Sequence, residues 1–162
     1  MRVLRLTNVL RRTLQAFFPF LARPDDALAA ELLPANEYSL YRKMDRRDRA
    51  HACAVARALI EKKELSQTLL RAALLHDVGK HEAKFNPLER VAVHLYAPQV
   101  PPEPRLKGVR GAWQRRRYHE RYGAQLILEH GGDPAVAEIV ARHHQPDGHP
   151  EAAALKAVEE LF

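Results

Sequence analysis

The chain has 162 residues, 46% of them hydrophobic and 28% charged, which is the length of one domain with an ordinary globular balance. That composition excludes a disordered chain, a collagen-like repeat and a miniprotein built on disulfides, because Cys53 is the sole cysteine. The net charge of +6, with nineteen arginines against seven lysines, favours anionic partners such as nucleotides or nucleic acid without choosing among them.

Apolar residues recur at helical spacing almost throughout, with no clean two-residue alternation, so an all-α fold is expected. At the N-terminus Arg2, Arg5, Arg11 and Arg12 interleave with apolar residues, and Pro19 interrupts the longest apolar stretch, Phe17–Leu21. No run reaches the about 18 apolar residues of a membrane span. A cytoplasmic protein is expected, its amphipathic N-terminal helix packing on its own domain or touching a membrane surface. Asp25 caps a short helix to about Leu33, and Pro34 opens a second that carries Glu37, Tyr38 and Tyr41. Residues 1–33 therefore read as a helical extension and residues 34–162 as a single helical bundle.

Asp45, with Asp48 three residues later, resembles a capping box ahead of a small-residue helix to about Lys62. Ser66 caps a helix from Gln67 to Asp77, where Gly79 is expected to supply a left-handed stop. Pro87 opens a helix through about Tyr96, and four prolines between Ala97 and Gly108 predict a surface loop. A long helix then runs from about Ala112 to His130 and stops at Gly131-Gly132. Asp133-Pro134 opens the next, to His144, and Gln145–Pro150 turns the chain into a last helix, Glu151–Phe162.

Nine histidines are many for this length, and several fall where a helix should be apolar. His51 shares the stripe of Val55, Ala58 and Leu59; His119 aligns with Gly123, Leu126 and His130; His143 lies with Val136, Ile139 and Val140. Inward histidines from three helices can converge, which is how bundle metal sites are built. The adjacent His76 and Asp77 project about 100° apart at a helix end, so the pair can grip one ion while a second carboxylate oxygen reaches another. One such histidine reads as a hydrogen-bonded core residue; five with an adjacent aspartate point to metal. Nitrogen and oxygen donors suit iron, manganese, zinc, cobalt or nickel. Arg115, Arg116, Arg117 and Arg121 flank His119 as a guanidinium cluster for phosphate, or as a solvated basic face. His81, His94, His130 and His149 read as surface or supporting residues, and Trp113 and Tyr118 as core packing ahead of base stacking.

Together these pieces resemble the HD-domain metal-dependent phosphohydrolases. The matching segments are Asp48-Arg49-Ala50-His51 with Val55-Ala56, then Leu74-Leu75-His76-Asp77-Val78-Gly79-Lys80, then His119 with Gly123-Ala124, then His143-His144 before Asp147-Gly148. They stand in the family's order over roughly residues 45 to 162, and the extra histidines are most similar to the subgroup that includes HDIG and HD-GYP cyclic-dinucleotide phosphodiesterases. Gly148 is followed by His149-Pro150, which departs from the tail of the HD-GYP motif. The resemblance implies a single HD-domain bundle with two divalent ions, iron or manganese first and zinc, cobalt, nickel or magnesium as the other candidates. It assigns His51, His76 and Asp77 to a first ion, with Asp77 bridging to a second held by His119, His143 and His144, and places Lys80 on a substrate phosphate. Where the family closes the first position with an aspartate, this chain has Glu159.

The expected function is hydrolysis of a phosphomonoester or phosphodiester in a nucleotide or cyclic dinucleotide, with Asp77 and Lys80 at the reaction. Lys80, Arg116, Arg117 and Arg121 would bind the small-molecule nucleotide. The alternative is a nucleotide-sensing or partner-binding module whose metal centre is impaired at Glu159. Nucleic-acid binding by the basic N-terminal helix and the arginine cluster ranks third, because no base-reading motif accompanies them.

Overall fold

The computed structural model describes residues 22–64, 66–80 and 98–162. The expected amphipathic N-terminal helix, the Pro87 helix, His81 and His94 lie outside the described residues. Among those described there are seven α-helices, one 3-10 turn and no strand, as the periodicity predicts.

Five of the seven described helices start at a side-chain cap. The Asp25 carboxylate accepts from the Leu28 N–H at 3.1 Å and opens α1 (Asp26–Leu32). Pro34 precedes α2 (Ala35–Lys43). Asp45 accepts from the Arg47 N–H at 2.8 Å ahead of α3 (Arg46–Glu61), and Ser66 accepts from the Leu69 N–H ahead of α4 (Gln67–Leu75). A 3-10 turn, Val78–Lys80, follows α4. Beyond the proline segment lie α5 (Gly108–Glu129), α6 (Pro134–Arg142) and α7 (Pro150–Glu159), the last two capped by Asp133 and His149. Such caps are each worth about 1 kcal/mol.

Helix α4 is the hub. Leu69, Leu70, Ala72, Ala73, Leu74 and Leu75 are all buried, the pattern of a helix apolar all round and enclosed by its neighbours. It packs against α3 and α6, while the turn at its C-terminal end packs against α5. Beyond the first two positions, Arg71 is the one polar residue of α4. It makes a two-pronged ion pair with the fully buried Glu37 of α2, at 2.6 and 2.9 Å, and reaches Asp133 at 3.3 Å. The same Glu37 accepts from the Asp133 N–H, so one buried carboxylate ties α2, α4 and the start of α6 together. Helix α1 is held from its other side: Asp26 accepts from Tyr41 at 3.0 Å and from Arg49 at 2.7 and 2.8 Å.

Three features differ from the sequence expectation. Gly79 does not adopt a left-handed conformation; the positive-φ glycines are Gly108, Gly131 and Gly148. Gly79 is instead a contact glycine, because a Cβ on it would fall inside the van der Waals shell of the His119 carbonyl oxygen and 2.6 Å from the Gly123 nitrogen. The helix before it stops at Leu75, so His76 and Asp77 occupy the bend between α4 and the 3-10 turn. Helix α5 begins at Gly108, earlier than Ala112, because Gly111 lies against the Leu106 carbonyl and the first turn closes on Lys107. Two glycines in that turn hide it from a propensity reading.

Candidate metal centre

The bend after α4 is buried together with the ends or middles of four other helices, and the histidines converge there. His51 comes from α3, His76 and Asp77 from the bend, His119 from the middle of α5, His143 and His144 from the end of α6, and Glu159 from the last turn of α7. His76, Asp77, His119 and His143 are buried, while His144 is exposed. Ring centroids run in a chain: His51 to His76 at 5.3 Å, His76 to His143 at 5.4 Å, His143 to His119 at 5.5 Å, and His119 to His144 at 4.9 Å.

The donor atoms fall into two groups that could each hold an ion, His51 with His76 and Asp77, and His119 with His143 and His144, the atoms of each group lying within 4.8 Å of one another. Asp77 faces both. Its Oδ1 is 3.7 Å from His76 Nε2 and 3.6 Å from His119 Nε2. Glu159 stands 4.0 Å from His76 Nε2 and 3.9 Å from His143 Nε2.

The backbone sets how the imidazoles point. His76 Nδ1 donates to the Ala73 carbonyl at 2.8 Å, His143 Nδ1 to Val140 at 2.7 Å and His119 Nδ1 to Arg116 at 3.1 Å. A carbonyl only accepts, so each Nδ1 carries the proton and each Nε2 turns a lone pair inward, the arrangement that fixes metal-binding histidines. His76 Nε2 and His143 Nε2 are buried with no hydrogen-bond partner, and a buried unpaired polar atom is costly. Burial, and then the neighbouring Lys80 ammonium, lowers the His119 pKa to about 3; burial with His76 and His144 lowers that of His143 to about 2. Both rings are therefore neutral near pH 7 and ready to act as ligands. The orphaned nitrogens, the fixed tautomers and the mixed nitrogen and oxygen donor set fit a divalent transition ion.

Lys80 projects from the 3-10 turn, its ammonium 2.5 Å from Asp77 Oδ1. Burial works against ionising Asp77, but this ammonium and the surrounding imidazoles outweigh it and hold the carboxyl well below the usual range. Lys80 is raised in turn: burial opposes its charge, and Asp77 and Asp48 overcome that.

Two residues of the centre are given no site role by the sequence reading. Asp48, which reads there as part of a capping box, is raised by burial and by the charge of Asp77; it stands three positions before His51, so one helix face delivers both to the centre. Glu120 follows His119, its Oε2 3.4 Å from His119 Nδ1, and burial raises its pKa. The signal for Asp48 is that spacing; nothing in the sequence singles out Glu120.

The arginines separate. Arg115 is buried, on the inward face of α5 with Gly111, Ala112 and His119, whereas Arg116, Arg117 and Arg121 are exposed. Beside them the proline segment is clipped to α5. Gln114 donates to the Pro101 and Pro104 carbonyls and accepts from Leu106 N–H; Tyr118 donates to Val100, and Tyr122 to Pro102. The Arg105 guanidinium lies 3.3 Å from the Tyr122 ring centroid. Helix α5 kinks at Tyr118 (φ −126°, ψ 19°), one residue before His119. His130 and His149 lie elsewhere, His130 contacting Lys43 and His149 capping α7.

This bundle and its histidine and aspartate centre are those of a metal-binding hydrolase domain. A family model for the HD domain matches residues 49–160, and the chain belongs to that family of metal-dependent phosphohydrolases. No curated protein and no solved structure matches it. No helix among the described residues is long and apolar enough to cross a membrane.

Proposed function

We propose that this chain is a two-metal phosphohydrolase, of the subgroup with extra histidines, that cleaves a phosphomonoester or phosphodiester of a nucleotide or cyclic dinucleotide. The observation that carries it is Asp77 Oδ1, which lies within 3.7 Å of an imidazole from each of two separate donor groups. His51, His76 and Asp77 would hold one ion and His119, His143 and His144 the other, iron or manganese before zinc, cobalt, nickel or magnesium. Such a pair polarises the phosphoryl oxygens and brings the pKa of a water into the neutral range.

The chain's own groups do the rest. The Nδ1 hydrogen bonds of His76, His119 and His143 hold the ligand rings in one tautomer, so no reorganisation accompanies binding. Lys80 brings a cation to the same point and meets a phosphate oxygen. Arg116, Arg117 and Arg121 are exposed on α5, close to His119 along the chain, and their guanidinium groups would attract further phosphates. The carboxylate of Glu159 stands at the centre, which favours an enzyme over a sensing module with an impaired site.

The test is phosphate release across a panel of nucleotides and cyclic dinucleotides with manganese, iron, cobalt, nickel and magnesium in turn. Release from one substrate class, abolished in Asp77→Asn with the helical spectrum retained, is the expected result. Equal release by Asp77→Asn would overturn the proposal, as would no release with any metal.

A further inference from the structure

Glu159 has a place in the centre that deepens the two-metal reading and rests on it. It is the last residue of α7, whose Ala152, Leu155 and Val158 are buried in the core and fix where the helix ends. From there its Oε1 lies 4.0 Å from His76 Nε2 and its Oε2 3.9 Å from His143 Nε2. These two histidines belong to different donor groups. Their rings are 5.4 Å apart at an interplanar angle of 77°, and both Nε2 atoms are buried without a hydrogen-bond partner. Donors that share an ion at about 2.1 Å each stand roughly 3–4 Å from one another. Each oxygen of Glu159 is therefore at sharing distance from one histidine of a different group.

We propose that Glu159 bridges the two ion positions, one carboxylate oxygen to each, where the sequence resemblance gives it only the closing of the first. With Asp77 Oδ1, which also lies near an imidazole of each group, it makes a double carboxylate bridge. The extra methylene of glutamate is what gives the reach. An aspartate at the end of the same anchored helix would sit one methylene further back and could not present one oxygen to each group.

The experiment uses the full chain and manganese(II) alone. Bound ions are counted by equilibrium dialysis and their coupling is read by electron paramagnetic resonance. The unaltered chain is expected to bind two ions with an exchange-coupled spectrum. In a His51→Ala background, which leaves His119, His143 and His144, adding Glu159→Gln is expected to weaken the remaining ion about tenfold or more. In a His144→Ala background the same change is expected to weaken the ion at His51, His76 and Asp77 by a similar factor. Unchanged affinity in the His51→Ala background would overturn the bridge and leave the two-metal reading standing. Failure of the unaltered chain to bind manganese at all would overturn that reading, and the bridge with it. Circular dichroism checks that the variants fold. Should the doubly altered chains not fold, Glu159→Gln in the otherwise unaltered chain decides: weaker binding of both ions supports the bridge, and weaker binding of one ion alone overturns it.

Discussion

Gly79 packs directly beneath the backbone of His119, with no room between them for a side chain. This contact seats the 3-10 turn on α5 and brings Asp77 within 3.6 Å of the His119 imidazole. Gly79→Ala should force the two elements apart, cost about 1–3 kcal/mol and cut the bound ions from two to one by separating His119 from Asp77. Gly123→Ala should be milder, since its Cβ would meet Val140 Cγ1 at 3.2 Å and the Gly79 nitrogen at 3.3 Å. Metal stoichiometry and thermal melts of both variants check the order.

Arg71 answers the fully buried charge of Glu37. Breaking a buried pair by removing one partner costs about 3–5 kcal/mol, because the other charge is left uncompensated. Arg71→Met should lose stability on that scale in urea unfolding, and Glu37→Gln, which keeps an oxygen for the Asp133 N–H, should lose less. Equal losses would show that hydrogen-bond count, not charge, governs the node.

The metal-free protein should weaken as pH falls below neutral. Unfolded histidine titrates near pH 6.5, whereas burial lowers folded His119 to about 3 and His143 to about 2. Between those values the unfolded chain binds the protons, so the stability is whole above about pH 6.5 and is lost as pH falls toward 3. Each ring contributes about 1.4 kcal/mol per pH unit, or about 2 kcal/mol by pH 5. Melts in chelator at pH 7 and pH 5 check this, and His143→Gln should flatten the dependence by roughly half.

Gln114 is buried and spends its side chain on the proline segment, through Pro101, Pro104 and Leu106. Gln114→Ala should release that segment at a cost of about 1 kcal/mol per hydrogen bond. Trypsin should then cleave at Arg105 or Lys107 several times faster. An unchanged cleavage rate would mean that Tyr118 and Tyr122 suffice to hold it.

Much of this architecture is legible in the sequence, because caps and helical stripes are local. Asp25, Asp45, Ser66 and Asp133 each start the helix that their residue type predicts. The placing of His51, His119 and His143 on apolar stripes anticipates their convergence. What the sequence hides depends on packing between distant segments. Gly79 looks like a helix stop until α5 is seen against it, and Asp48 looks like a cap until Asp77 and Lys80 are seen near it. Arg115 is indistinguishable in sequence from its neighbours Arg116 and Arg117, and only the rotation of α5 buries it. The two-sided position of Glu159 follows from where α7 ends relative to α4 and α6, which no local pattern encodes.

Whether this centre holds two ions joined by carboxylates is tested most directly by an anomalous difference map from crystals grown with manganese. Two peaks about 3.5–4 Å apart are expected, one among His51, His76 and Asp77 and one among His119, His143 and His144. A single peak, or peaks away from these side chains, would contradict the two-metal centre.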